Sequence, residues 1–322
     1  ADDEKHQEQI FSMDTIMTLT AYGANGPAGL KAAEKSIYAL NDLLDPQVET
    51  SDIYKVNAAG GNAVEVSAVI SDMIRTAQKV YEQTGGALDI TVLPVVELWG
   101  FLDENFHVPE DADIQEALTT LCFDQLELDG NSIRIPETAA ITLGAVAKGC
   151  TANIVIDEMA NAGVTSGIIS LGGNIQTLGV KPDGRNWTVA VQDPNNPAFY
   201  CGTLSIGQLA VVTSGTYQRY FEENGQKYHH IIDPETGYPS DNELLSVTIL
   251  TEDGTLADCL STAMFVLGTD KALDYWRTYG NVEGEEFEMI LINKDHQITC
   301  TPGAAPIFTL VDTSYTVSVA EA

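Results

Sequence analysis

The stretch that most constrains this chain is residues 211–268, VVTSGTYQRYFEENGQKYHHIIDPETGYPSDNELLSVTILTEDGTLADCLSTAMFVLG. It holds two adjacent histidines, a D-P-x-T-G turn and a helical run over 257–266. In that run Asp258 and Thr262 are four residues apart and Ser261 is three from Asp258, so their oxygens share one helix face. Leu260, Ala263, Met264 and Leu267 take the other side, which predicts a helix buried on one face. A carboxylate with hydroxyls is a hard-oxygen set suited to Mg²⁺ or Ca²⁺ rather than zinc. The same residues also suit a plain structural role, an early acid complementing the helix dipole and hydroxyls bonding back to carbonyls.

A second stretch bears on that choice. Residues 141–149, ITLGAVAKG, precede a helical run over 146–162 stopped by Gly163. Small residues at such a junction let backbone amides approach an anion, and Lys148 adds a point charge. The Walker A spacing is absent, and a helix start with a solvated lysine fits equally well. Charge sharpens the question. Fifteen Lys and Arg face 47 Asp and Glu, a formal charge of −32, which argues against nucleic acid or an anionic membrane as partner. A phosphate ligand would need local positive charge, from Lys148 or from a bound divalent cation.

The rest reads as an α+β fold. A polar start, residues 1–9, reads as a mobile tail, and 10–22 as one strand. Helices are expected over 27–44, 67–84 and 109–121, and hairpins around Asp129-Gly130-Asn131, around Glu223-Asn224-Gly225 and between 287 and 301. Residues 165–179, TSGIISLGGNIQTLG, read as a strand whose Gly-Gly-Asn marks close backbone approach. Helices interleave with hairpins, so mixed, largely antiparallel sheets flanked by helices are expected, over one domain from 10 to 322 divisible into two intertwined subdomains. Asp89 lies in an apolar run and must be paired, hydrogen-bonded or functional. His229 and His230 point to opposite faces of a strand, with Ile232 on the side of His230. Five widely spaced cysteines without C-x-x-C argue against zinc ribbons and disulfide scaffolds. No apolar run reaches about 18 residues, and no signal peptide is evident.

The pieces FSMDT, GALDITVLPVVELWGF, LGAVAKG, SLGGN, SGTYQRYF, YHHIIDPETGYP and ADCLSTAMFVLG occur in the order seen in the ApbE family, which this chain resembles over roughly residues 11–300. The resemblance implies an FAD:protein FMN transferase that splits the FAD pyrophosphate, attaches FMN by a phosphoester to Thr or Ser of a target protein, and releases AMP. It implies Mg²⁺ on the Ala145 carbonyl, the Asp258 carboxylate and the Thr262 hydroxyl, with Ser261 as a further ligand. It places Met13, Asp89, Lys148 and Ile232 at the flavin nucleotide, and His230 or Asp258 as proton acceptor. The implied partners are FAD and a target protein with an Asp-x-Ala-Thr-type acceptor, such as a redox-complex subunit. An extracytoplasmic, lipid-anchored protein with its leader removed is implied too. The chain departs from the family pattern at Asp45 and Gln47, where Ser and an aromatic are usual, and at Cys150 and Asn153, where Tyr and Asp are usual. Hydrolysis of FAD to FMN and AMP, or flavin carriage without catalysis, are the alternatives.

Overall fold

A computed structural model describes residues 3–322. Among these residues the largest sheet has nine strands: β1 (Lys5–Ser12), β2 (Thr15–Tyr22), β3 (Gly167–Leu171), β4 (Asn174–Leu178), β5 (Ala210–Gly215), β6 (Leu244–Thr251), β7 (Glu288–Asn293), β8 (Gln297–Cys300) and β9 (Thr316–Val319). They lie side by side in chain order, each neighbour antiparallel except the parallel pair β8–β9. Short hairpins join β1–β2, β3–β4 and β7–β8, where the loop-closure cost is small. Longer excursions leave the sheet and return to the next strand. The hairpin Tyr220–Glu223/Gln226–His229 is one such excursion, turned by Asn224 and Gly225 at φ 52° and 77°, as the turn residues predict. The expected mixed, largely antiparallel α+β architecture is therefore present.

Four helices matter for the site: α1 (Gly26–Leu44), α2 (Ala68–Thr84), α3 (Ala147–Asn161) and α4 (Gly254–Leu267). Helix α4 lies on β5 and β6 with α2 and α3 beside it, and α3 packs on α1. From 254 to 265 only Thr262 is not buried. The one-sided burial expected for this helix is thus corrected, because neighbouring helices and the sheet enclose it on all sides. Its apolar side chains join the largest core cluster with Val212, Val247, Ile249 and Met289.

Three expectations change at the strand level. Residues 5–9 belong to β1 rather than to a tail, because β2 pairs with them from Lys5↔Tyr22 onward. Residues 10–22 are not one strand but the end of β1, a turn and β2, with Met13 and Asp14 at φ 51° and 57°. No glycine marks that turn, so its left-handed residues are invisible in composition. Residues 165–179 likewise form a hairpin, turned at Gly172 (φ 67°), rather than one strand. Among the described residues no helix is long and apolar enough to cross a membrane.

Candidate active site

The site is built where α3 crosses α4. Both helices carry glycine at the crossing. A Cβ on Gly149 would lie 2.0 Å from the Gly254 carbonyl oxygen and 2.7 Å from Asp258 Cβ, and one on Gly254 would lie 2.6 Å from the Gly149 carbonyl oxygen. Without side chains the two backbones touch, and Gly149 N–H donates to Asp258 Oδ2 at 2.8 Å across 109 residues of chain. That N–H would ordinarily turn back to the carbonyl of Ala145. Among the described residues the Ala145 carbonyl accepts no backbone hydrogen bond, whereas the next one, Val146, accepts from Cys150 at 3.1 Å. The crossing therefore leaves the Ala145 carbonyl without a backbone partner in the same turn whose Gly149 N–H meets the buried carboxylate.

Asn153, one turn further along α3, locks the crossing. Its amide nitrogen donates to Asp253 Oδ1 (2.8 Å) and contacts Thr255 Oγ1 (3.2 Å), while its oxygen accepts from Gly254 N–H (2.8 Å) and Gln176 Nε2 (3.1 Å). Asp253 also caps α4 by accepting from Thr255 N–H. Asn57 clamps the preceding loop, accepting from Ile141 N–H (2.7 Å) and donating to its carbonyl (3.0 Å).

Asp258 is 9% exposed. Burial pushes its carboxyl up to about 6, opposed by the Gly149 N–H, the Lys148 charge and the Asn174 amide. The buried Asn174 amide nitrogen makes no fully formed hydrogen bond and acts on the Asp258 carboxylate through proximity alone. Thr262 lies one turn on from Asp258 and is half-buried. Ser261 is fully buried instead, its hydroxyl bonded to Ser214 Oγ (2.8 Å) and to the Asp258 carbonyl (3.0 Å). Those two partners satisfy it, and it fastens α4 to β5. Ala145, Asp258 and Thr262 thus supply one carbonyl, one carboxylate and one hydroxyl, and a hard divalent cation fits that donor set. Among the described residues there is no group of three or more His, Cys, Asp or Glu that could hold a metal, so a cation here would depend on such mixed oxygen donors.

Lys148 extends from the first turn of α3 over the β3–β4 turn. Its Nζ would lie 3.7 Å from a Cβ on Gly172, and Thr15 Oγ1 3.1 Å from the same point. Met13 reaches the same helix turn, with its sulfur 3.5 Å from Thr151 Oγ1. The sequence therefore folds Met13, Ala145, Lys148, Asp258 and Thr262 about one crossing.

The two histidines differ in their bonding. His229 is buried, accepts from Ile231 N–H at Nδ1 (3.2 Å) and so donates from Nε2 to the Ser240 carbonyl (2.8 Å); it is a core residue against Phe265. His230 donates from Nδ1 to the Arg219 carbonyl (3.1 Å), leaving the Nε2 lone pair free. Burial, with the charges of Lys148 and Arg219 nearby, holds its pKa well below the ordinary value, at about 3. It is therefore neutral at pH 7, with an unprotonated Nε2 that is only weakly basic in the unliganded site.

Ile232 and Asp89 stand further out. Ile232 packs with Val95, Trp99, Phe101 and Ile114 in a small cluster whose Phe101 ring meets the His230 ring edge-on at 6.4 Å. Asp89 accepts from Thr91 N–H (2.8 Å) and Thr91 Oγ1 (2.5 Å), capping a short helical turn. It touches the site loop only indirectly, through Ile90, whose carbonyl accepts from Thr142 N–H at 2.8 Å. Of the conditions the sequence set for Asp89, hydrogen bonding is met. Burial pushes the Cys150 thiol up to about 11, so it behaves as an inert packing group. Two residues with no role foreseen from sequence contribute here: Asn153 as the lock and Arg219 as the partner of His230. Only the scarcity of basic residues could have singled out Arg219.

The fold and site define a class first: an α+β protein with a buried carboxylate, a free carbonyl and a lysine converging beneath a glycine hairpin. A model of the ApbE family matches residues 13–284, and the chain belongs to that family. An FAD:protein FMN transferase of Klebsiella pneumoniae (strain 342) is 34% identical over 281 residues, 86% of this chain and 85% of that protein. One from Treponema pallidum (strain Nichols) is 31% identical over 326 residues, 94% of this chain and 88% of that protein. Among solved structures, the ApbE protein of Thermotoga maritima superposes with a TM-score of 0.86 at 27% identity, covering 94% of this chain and 99% of that one. The flavin transferase ApbE of Vibrio cholerae gives 0.83 at 25%, with 94% and 99% covered.

Proposed function

We propose that this chain is an FAD:protein FMN transferase, which moves FMN from FAD to a Thr or Ser hydroxyl of a target protein. Family membership and the names of its relatives support the activity. The single observation that carries the site is the Gly149–Asp258 bond, which takes the Gly149 N–H to the carboxylate and leaves the Ala145 carbonyl without its helical partner. In the reaction the acceptor hydroxyl oxygen bonds to the FMN-side phosphorus. The bond from that phosphorus to the bridging oxygen breaks, AMP leaves with the oxygen, and the hydroxyl proton goes to a base.

The residues divide this work by chemistry. Ala145, Asp258 and Thr262 would hold Mg²⁺, with Ser261 behind them bracing the helix. When bound, the ion supplies neutralisation of the pyrophosphate charge. Lys148 holds a phosphate oxygen and Met13 packs beside the nucleotide. Ile232 lines the pocket behind Phe101, and Asp89 shapes it from the turn that abuts the site loop. The acceptor proton goes to Asp258 or to His230 Nε2, which its Nδ1 bond leaves free; His230 serves only once the bound pyrophosphate's negative charge raises its basicity. Asp258, already committed to Gly149 N–H, suits the metal better than the proton. The acceptor is an Asp-x-Ala-Thr-type segment of a redox-complex subunit or other extracytoplasmic flavoprotein. By resemblance alone, we place the enzyme outside the cytoplasm on a lipid anchor.

The test incubates the protein with FAD, Mg²⁺ and a domain carrying that acceptor. Transfer gives a flavin-fluorescent band on a denaturing gel. Asp258→Ala is expected to lower the rate at least about 100-fold with the fold intact by circular dichroism. An unchanged rate in that variant removes the metal assignment, and AMP without a band replaces transfer by hydrolysis.

A further inference from the structure

Arg219 stands apart from the other arginines. The chain has five, and four of them sit on carboxylates: Arg75 on Asp72 (2.7 Å), Arg134 on Glu127 (3.6 Å), Arg185 on Asp183 (2.5 Å) and Arg277 on Asp274 (2.9 Å). Acids outnumber bases 47 to 15, so a carboxylate is within easy reach of almost any surface cation. Among the described residues Arg219 has no carboxylate within 4.0 Å, as the absence of an Arg219 pair shows. It is nevertheless half-buried and held in place. One Nη2 hydrogen goes to the Phe101 carbonyl, and the guanidinium carbon lies 5.9 Å from the Phe101 ring centroid. Its own carbonyl takes both the backbone N–H (3.0 Å) and the Nδ1–H (3.1 Å) of His230.

A guanidinium has five N–H donors, and only one is used here. Half-burying a positive charge without a counter-charge is costly, and a rigid fork beside a reactive histidine matches the geometry of phosphate. Lys148 supplies the second positive charge acting on the same ring. Two cations therefore act on His230 in a molecule of formal charge −32.

We propose that Arg219 is a phosphate-binding residue of this site, its braced guanidinium donating to a non-bridging oxygen of the FAD pyrophosphate while Lys148 holds another. The inference rests on the transferase reading, since it names how that substrate is gripped. Its consequence is selectivity: Arg219 rewards a flavin dinucleotide over a flavin that has no phosphate.

The experiment titrates FAD and riboflavin, followed by flavin fluorescence, into the wild-type protein, Arg219→Gln and Arg219→Lys. In Arg219→Gln the FAD affinity is expected to fall about 10- to 100-fold while riboflavin affinity changes less than about twofold. Arg219→Lys, which keeps the charge and loses the fork, should fall between. FAD affinity within about twofold of wild type in Arg219→Gln overturns the proposal. Equal losses for FAD and riboflavin overturn it too, because they mark a packing role. If Arg219→Gln does not fold, Arg219→Lys decides alone: a selective FAD loss upholds the proposal and an unselective one overturns it. A wild-type protein that binds no FAD contradicts the transferase reading itself and leaves a different signature from either outcome.

Discussion

Asp258 shows how one residue carries both the cost and the purpose of the site. Its folded pKa of about 6 lies above the usual 3.8 because burial disfavours the charge more than Gly149, Lys148 and Asn174 restore it. A raised acid pKa means the folded state holds the proton more tightly than the unfolded chain. The stability this group allows is complete below about pH 3.8 and is lost as pH rises through about 6. Asp258→Asn keeps the acceptor for Gly149 N–H and removes the titration. With chelator present, the stability of that variant relative to wild type should therefore grow by about 2 kcal/mol between pH 4.5 and 7, read from urea melts. A constant difference across that range would mean that Asp258 ionises in the fold without cost. The spacing of Asp258 and Thr262 was legible in the sequence because an i, i+4 relation is local. The partner of Ser261 was not, since Ser214 lies 47 residues away on a strand. Nor was the state of Ala145, whose carbonyl is free only because a distant carboxylate diverts Gly149 N–H.

Among the elements, α3 and α4 share one apolar core and approach closely through glycine backbones, and the few polar groups at the seam fix how they cross. Asn153 bridges α3 to the cap of α4 and to β4. Asn153→Asp would set a second carboxylate 2.8 Å from Asp253 Oδ1 in place of a donor. It is expected to destabilise the protein by about 2 kcal/mol, seen as a lower urea midpoint at unchanged slope, and more strongly at pH 7 than at pH 4, where carboxyls can share a proton. No change at pH 7 would show that the seam does not rely on this amide. The helices and glycine-turned hairpins were legible because caps, apolar stripes and Asn-Gly pairs are local signals. Strand β1 was not, because its outer half, KHQEQ, is polar and becomes a strand only through pairing with β2. The β1–β2 turn was hidden for the related reason that Met13 and Asp14 adopt left-handed angles that composition does not announce.

At the scale of the whole molecule, nine strands laid down in chain order carry two long excursions whose helices return to cross beneath the β3–β4 turn. The hairpin-rich pattern made the mixed sheet foreseeable, but strand order and the helix crossing depend on non-local pairing that no window of sequence contains. The same scale sets the electrostatic problem. A body of formal charge −32 repels a pyrophosphate, and Lys148 and Arg219 offset only a fraction of that. We propose that a divalent cation at the crossing completes the offset, and on this proposal the account depends. The direct measurement is a crystal of the protein with FAD and Mn²⁺, with data collected for the anomalous signal of manganese. The account predicts a manganese peak touching the Ala145 carbonyl, the Asp258 carboxylate and the Thr262 hydroxyl, with the pyrophosphate on its open side. A bound FAD whose pyrophosphate lies elsewhere, or a manganese peak away from Asp258, would contradict it.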